Sequence, residues 1–277
     1  MSTYPGVDPF TGAGATVYDL EQPRFEGMPI AAPHMPGYQY TLHRRHGDGY
    51  VEGTSEARTG SSGVVVMREH TGTHIDALCH QADRQTLFGG VDATKAAGSR
   101  GYAELGIETV PPIVAAGILI DLPRHRGVDI LPEQEEIGAA ELQAALAADG
   151  ETLRPGDVAL VRTGYDALWN DPGRYLASAG MAGNASAWLA EQGVVAVGID
   201  NMAWDVDGAF DEEYQVHLPG HIILLARAGI YIVENLDLRA LAAARAVRST
   251  FVCTRLKLTG ATGSPVSPIA IVPTGVR

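Results

Sequence analysis

The sequence predicts an α/β fold in which helices flank a mixed sheet. Short apolar runs rich in β-branched residues recur along the chain, as is typical of buried strands. Between several of these runs lie segments whose apolar residues have helical spacing. These segments end at glycine, a residue that commonly terminates helices. The chain has 277 residues, and because 45% of them are apolar it can bury a sizeable core. No internal repeat or low-complexity linker divides it, so we predict one domain.

Seven strands are predicted from apolar runs: 63–70, 115–122, 158–164, 194–200, 230–236, 250–258 and 268–272. The first run holds four consecutive apolar residues and ends at His70, so we expect it to carry His70 towards the interior.

Three helices are predicted between these strands. The segment 139–149 repeats leucine at a spacing of four and stops at Gly150, and 219–229 ends at Gly229. The segment 184–193 has Asn184 as its expected N-cap and Gly193 as its stop.

The first sixty residues are rich in glycine, proline and tyrosine and show little periodicity. They predict a loop-rich extension, 1–60, packed on a domain formed by 61–277. This extension also carries His34, which we consider a candidate substrate contact.

Composition excludes several classes of function. A net charge of −13 disfavours binding to nucleic acid or to anionic membranes. Two cysteines, Cys79 and Cys253, make no disulfide framework. Because the N-terminus shows no signal-peptide pattern and no run approaches 18 apolar residues, a cytoplasmic protein is expected.

The segment HTGTHIDALCH, residues 70–80, contains three of the nine histidines of the chain. Imidazole is a common metal ligand, and Asp76 adds a carboxylate to the set. In a straight strand His70 and Asp76 would lie about 20 Å apart, too far for one ion. We therefore predict a tight turn at Gly72, where glycine permits the bend, so that His74 and Asp76 come back beside His70.

Other residues admit more than one interpretation. Glu234 interrupts an apolar strand, so its carboxylate should be paired or bound to a metal. Asp200 follows an apolar strand and either lines a pocket or serves a turn or helix cap. Cys79 adjoins His80, but neighbouring side chains usually point apart, so we expect a packed thiol and not a nucleophile.

The segment 70–80 resembles the signature H-x-G-T-H-x-D-x-P-x-H of the cyclase-like metal-dependent hydrolases, a family that includes bacterial kynurenine formamidase and isatin hydrolase. Leu78 stands where the signature has proline. The resemblance continues through 162–175, 197–205, 221–238 and 256–272. It implies the swivelling β/β/α fold, a mixed sheet flanked by helices.

The resemblance also implies roles for individual residues. His80 would be the proton donor and acceptor, and the metal ligands would be His70, His74, Asp76, His221 and Glu234. His217 is the alternative to His221, which fits the family spacing better. Trp204 is a further candidate substrate contact, together with His34 and Asp200.

The function implied is hydrolysis of a small amide, a cyclic amide such as isatin, or a lactone. One or two divalent ions, zinc or manganese, would activate water while the histidine moves protons. The alternatives are a metal-dependent cyclase or dehydratase of polyketide-type substrates, and a metal- or ligand-binding protein without activity. The expected partners are a small-molecule substrate and further copies of the chain in a homo-oligomer.

Overall fold

The computed structural model describes residues 3–7 and 14–274. Twenty strands are present in this part of the chain: β1 Thr3–Val7, β2 Gly14–Asp19, β3 Gln39–Arg44, β4 Ser62–Val66, β5 His74–Asp76, β6 Thr86–Leu87, β7 Val91–Asp92, β8 Ala97–Gly98, β9 Gly101–Tyr102, β10 Ile113–Asp121, β11 Glu136–Ile137, β12 Val158–Arg162, β13 Gly180–Met181, β14 Ala196–Ile199, β15 Phe210–Asp211, β16 Val216–His217, β17 Tyr231–Glu234, β18 Arg248–Cys253, β19 Gly263–Pro265 and β20 Ile269–Pro273.

The described helices are mostly short. Those of α type are α1 Ala93–Ala96, α2 Leu122–Arg126, α3 Ala139–Ala148, α4 Pro172–Tyr175, α5 Gly183–Glu191, α6 Pro219–His221 and α7 Arg239–Ala243. A π-helix, Ile222–Ala228, continues directly from α6. Four 3₁₀ turns complete the set: Ala32–His34, Phe88–Gly90, Ile107–Thr109 and Tyr165–Leu168.

Ten strands form one sheet in the order β1-β2-β20-β18-β10-β12-β14-β17-β5-β19. The four central strands β10, β12, β14 and β17 run parallel, and the other pairings are antiparallel. The predicted α/β fold with a mixed sheet is thus confirmed. Since β2 pairs with both β1 and β20, the first sixty residues supply two strands of this sheet as well as loops.

The sheet is buried on both faces. Along β10, Ile118 and Ile120 belong to one core cluster, whereas Leu119 belongs to the other. This alternation follows from the period of two in a strand. Leu142 on α3 and Leu189 on α5 pack into the first cluster, so the helices cover that face.

The glycines predicted to follow two helices do so, whereas one predicted N-cap does not cap its own helix. Gly150 and Gly229 have φ of +66° and +69°, the left-handed conformation expected just after a helix. Asn184, however, is not the N-cap of its own helix, because Ala182 occupies that position. Its Oδ1 instead accepts a hydrogen bond from the backbone N–H of Ala139, so it caps the neighbouring helix α3.

The prediction for residues 63–70 is wrong in two respects. The strand β4 ends at Val66, four residues before His70, and it lies outside the ten-stranded sheet. Its apolar side chains are exposed, with Val65 at 49%, because β4 pairs only with β3 in a separate hairpin. A run of apolar residues identifies a strand but does not determine which surface covers it.

Among the described residues, no helix combines the length and apolarity needed to cross a lipid bilayer.

Candidate metal centre

The turn at Gly72 brings the first three candidate ligands together. Gly72 has φ of +70°, and the chain then enters the fully buried strand β5. His70 Nδ1 lies 2.8 Å from Asp76 Oδ1, and His74 Nε2 lies 3.5 Å from the same oxygen. The curl expected from the strand geometry is therefore present.

The neighbouring strand β17 and helix α6 supply the other two side chains. The register pairs Glu234 with His74, and Glu234 Oε2 lies 3.3 Å from His74 Nε2. His221 Nε2 lies 3.4 Å from Glu234 Oε1 and 3.8 Å from Asp76 Oδ2. The structure places His221, and not His217, in this cluster: His217 is exposed, and its Nδ1 contacts the carbonyl oxygen of Ala209 at 2.9 Å.

The separations between these donor atoms suit one divalent ion. Two ligands about 2.1 Å from an ion, at angles of 90–110°, lie about 3.0–3.5 Å from each other. Moreover, His70 Nδ1 and both carboxylate oxygens of Asp76 are buried and make no well-aligned hydrogen bond to the described residues. Because buried polar atoms are normally satisfied, these three atoms fit a site that binds a cation.

Outer hydrogen bonds fix how each imidazole faces the cluster. His74 Nδ1 donates to the carbonyl oxygen of Gly72 at 2.7 Å, and His221 Nδ1 donates to Asp205 Oδ2 at 2.6 Å. Each ring is therefore held with its Nε2 turned towards the carboxylates. Such outer partners commonly orient metal-binding histidines.

His70 is oriented by a longer chain of hydrogen bonds. Thr262 Oγ1 donates its proton to Glu69 Oε1 at 2.6 Å. It must then accept from His70 Nε2, which lies 2.8 Å away. Nδ1 is left facing Asp76 Oδ1 at 2.8 Å, a pair of atoms that could both bind one metal ion.

The charges in the cluster also favour the binding of a cation. Burial alone would raise the pKa of Asp76, but the adjacent His80 and His70 hold it well below its usual range. Burial likewise opposes ionisation of Glu234, yet its hydrogen bonds with His221 and His74 lower its pKa to about 2. Two buried carboxylates thus stay ionised, and their charge attracts a cation.

His80 lies against this cluster without a carboxylate partner of its own. Its ring centroid is 4.0 Å from that of His70 and 6.2 Å from that of His221. Burial lowers its pKa to about 3, even though Asp76 acts in the opposite direction. His80 is consequently a neutral imidazole at neutral pH and can accept a proton.

A cavity of about 430 Å³ opens beside the cluster. One wall is the segment 29–34, whose His34 stacks on His70 with centroids 4.7 Å apart. Burial and the neighbouring His70 lower the pKa of His34 to about 4. Met202, Ala203 and Leu218 add apolar surface. Of the three predicted substrate contacts, His34 alone lines this cavity among the described residues.

Trp204 and Asp200 do not line it. Trp204 is fully buried, its Nε1 donates to Ser186 Oγ, and its backbone N–H donates to Glu234 Oε1. Asp200 accepts hydrogen bonds from the backbone N–H groups of Thr163 and Gly164, both at 2.7 Å. Its carboxylate thus holds the turn after β12, an arrangement that favours the structural one of the two roles considered for Asp200.

Cys79 is the packed residue that the sequence predicts. Its side chain is buried and burial raises the pKa of the thiol to about 12, so it is not a thiolate at neutral pH.

Four supporting residues were not predicted from the sequence: Glu69, Asp205, Asn235 and Thr262. Asp205 lies sixteen residues before its partner His221, and no periodic pattern links the two. Asn235 Nδ2 donates to the carbonyl oxygen of Gly72 at 3.0 Å, beside His74. The only signal available was position: Asp205 ends a segment already identified as family-like, and Asn235 follows Glu234 directly.

Comparison with known proteins decides the family. The cyclase family model matches residues 18–206, about two thirds of the chain. The chain belongs to the cyclase family. A solved structure described as a novel cyclase is 30% identical, with a TM-score of 0.82 over 92% of this chain and 86% of the other.

Two further solved structures share the fold of this cyclase-family chain. Isatin hydrolase A from Ralstonia solanacearum is 21% identical, with a TM-score of 0.70 over 92% of this chain and 91% of its own. A predicted metal-dependent hydrolase from Bacillus stearothermophilus is 22% identical, with a TM-score of 0.58 over 93% and 98% of the two chains. No curated protein matches the sequence.

We expect Gly72→Ala to weaken metal binding as well as the fold. An alanine at φ of +70° costs about 1–2 kcal/mol and disturbs the carbonyl group that orients His74. Gly150→Ala is the matched control: its φ is +66°, and no atom lies within 4 Å of an added Cβ. Thermal unfolding should show a loss for both variants, larger for Gly72→Ala because its Cβ would also lie 3.1 Å from Arg24 Nε, whereas metal titration should show weaker binding for Gly72→Ala alone. Equal metal affinities would contradict the role given to the turn.

Asp200→Ala should destabilise the protein without changing substrate affinity. It leaves buried N–H groups unsatisfied, at about 1–3 kcal/mol for each group. Chemical denaturation should show a lower free energy of unfolding, while KM of the folded fraction stays at the wild-type value. A large rise in KM with unchanged stability would instead indicate that Asp200 contacts the substrate.

Proposed function

We propose that this cyclase-family protein is a metal-dependent hydrolase that opens a small, neutral cyclic amide or a lactone. The observation that carries the proposal is the convergence of three oriented imidazoles and two ionised carboxylates on one point, with a neutral histidine beside it. The cavity leads to that same point. This combination suits water activation next to a bound substrate.

The ligand set would be His70 Nδ1, His74 Nε2, His221 Nε2 and the carboxylates of Asp76 and Glu234. A divalent ion bound there supplies a lowered pKa for water and polarises the scissile carbonyl. Five protein donors exceed the four of a tetrahedral zinc site, so we infer either one ion of higher coordination, such as manganese, or two ions that share the donors.

His80 would carry the proton in both directions. As a neutral imidazole it accepts a proton from the attacking water, and it then returns that proton to the leaving nitrogen or oxygen. The ring lies on the cavity wall and makes no hydrogen bond to another described side chain, so its nitrogens are not engaged by a protein partner there.

The lining of the cavity supports a neutral substrate. Among the described residues that line it, none is lysine or arginine, and Asp207 places a carboxylate there. An amino-acid substrate such as N-formylkynurenine carries its own carboxylate, which would meet no lysine or arginine among these residues. The apolar wall favours a flat ring system, as in isatin, or a lactone.

Two histidine variants separate metal binding from proton transfer. His74→Ala should abolish stoichiometric metal, whereas His80→Ala should keep the metal and lose about 10²–10⁴-fold in kcat. His217→Ala, an exposed histidine outside the cluster, is the control and should retain both properties. Metal analysis and steady-state kinetics measure the outcome. Full activity after complete chelation would refute the proposal.

A substrate series tests the chemical class. We expect turnover of isatin and of neutral lactones, with kcat/KM at least tenfold above that for N-formylkynurenine, because no lysine or arginine is among the described residues that line the cavity. Ring opening is followed by absorbance. Cyclisation or dehydration of a poly-keto compound without any hydrolysis would establish the alternative cyclase or dehydratase activity. Metal binding without either reaction would indicate a binding protein that has no catalytic activity.

A further inference from the structure

Residues 20–24 connect the two parts of the chain that carry most of the candidate ligands, and we call them the strap. On one side, the backbone of Glu21 pairs antiparallel with that of Leu236, just after β17. On the other side, the backbone N–H of Gln22 donates to Thr73 Oγ1 at 2.9 Å. The strap is therefore fixed both to the end of β17 and to the turn that precedes β5.

Arg24, at the end of the strap, donates to two carbonyl groups of the turn at Gly72. Its Nε lies 3.2 Å from the carbonyl oxygen of Thr71, and its Nη2 lies 2.5 Å from that of Thr73. Its Nη1 pairs with the carboxylate of Glu21 in the same strap. Because the side chain of Arg24 is only 13% exposed, these hydrogen bonds are largely shielded from water.

The carbonyl group of Thr71 depends on Arg24. Thr71 is fully buried, and no backbone N–H of the described chain donates to its carbonyl oxygen. A buried carbonyl group without a donor is costly, so without Arg24 it should rotate towards another donor or water. It belongs to the rigid peptide group between Thr71 and Gly72. Any such rotation changes the backbone dihedral angles between His70 and His74, and so moves the two rings relative to each other.

We propose that Arg24 is a positioning residue of the metal centre, whose guanidinium group holds the turn in the conformation that brings His70 and His74 to the carboxylates. Its hydrogen bonds go to the turn and to Glu21, and none goes to a candidate ligand. Arginine suits this role because its planar fork directs several N–H donors at once, whereas lysine has a single nitrogen.

The strap gives the first sixty residues a second contribution to the site, besides the cavity wall 29–34. The wall faces the substrate, whereas Arg24 sets how tightly the centre holds its ion. This inference rests on the proposed function, because it concerns the metal centre on which that function depends.

Titration of the metal-free protein with Mn²⁺, measured by calorimetry, tests Arg24 independently of turnover. Arg24→Ala should raise the Kd for Mn²⁺ by about 10–100-fold, as is typical when an outer partner of a metal site is lost. Arg248→Ala is the matched control and should keep the wild-type Kd. Arg248 also pairs with a glutamate, Glu151, and donates to the carbonyl oxygen of Thr152, but it lies on β18, five strands from β5. A wild-type Kd in Arg24→Ala would overturn the proposal.

Two further measurements separate positioning from a general loss of the fold. Methylguanidinium, at a concentration that does not denature the wild type, should restore Mn²⁺ affinity to Arg24→Ala, because it can donate to the same two carbonyl groups. It should leave the affinity of Arg248→Ala unchanged. Arg24→Lys keeps the charge but not the fork, so its Kd should still rise about tenfold. No recovery with methylguanidinium, or a wild-type Kd in Arg24→Lys, would contradict the role of the guanidinium group.

The outcomes also distinguish this inference from the proposed function. If the wild type binds neither Mn²⁺ nor Zn²⁺, the metal centre is wrong and the proposed function fails with it. If the wild type and Arg24→Ala bind Mn²⁺ with the same Kd, the metal centre stands and only the role of Arg24 is wrong.

Discussion

The site depends on two buried carboxylates whose charge has to be balanced. Asp76 is fully buried and Glu234 nearly so, and both are held ionised by surrounding imidazoles. Neutral imidazoles alone cannot compensate two negative charges away from water, and protonated ones could not present lone pairs. A divalent cation satisfies both requirements, so metal binding and the local stability of this region are coupled.

The sheet is arranged so that this charge is concentrated in one place. β5 is only three residues long, yet it lies between β17 and β19 and pairs with both. Antiparallel pairing sets Glu234 opposite His74, and the turn at Gly72 returns His70 to the same side. The carboxylate of Asp205 holds His221 in the cluster. It accepts hydrogen bonds from His221 Nδ1 and from the backbone N–H groups of Gly220 and His221. Ligands from distant parts of the chain are thereby held on rigid elements.

Much of this arrangement could be predicted from the sequence, because it is local. The spacing of His70, Gly72, His74 and Asp76 required a turn, and the polar Glu234 in an apolar strand required a partner. What could not be predicted depends on tertiary contacts. Asn184 caps another helix and not its own, and the valines of β4 lie on a separate hairpin although their sequence matches a core strand. Trp204 supports Glu234 through a backbone N–H, which no side-chain pattern reveals.

The cavity wall 29–34 and the ligand set come from separate parts of the molecule. The candidate ligands belong to the sheet, to the turn before β5 and to α6, whereas the wall belongs to a loop that contributes no strand to the ten-stranded sheet. Sequence changes in this loop can therefore alter the shape of the cavity while the charge balance at the metal centre is preserved. Within such a fold, a change in one short segment can alter which molecules the cavity admits, without rebuilding the cluster itself.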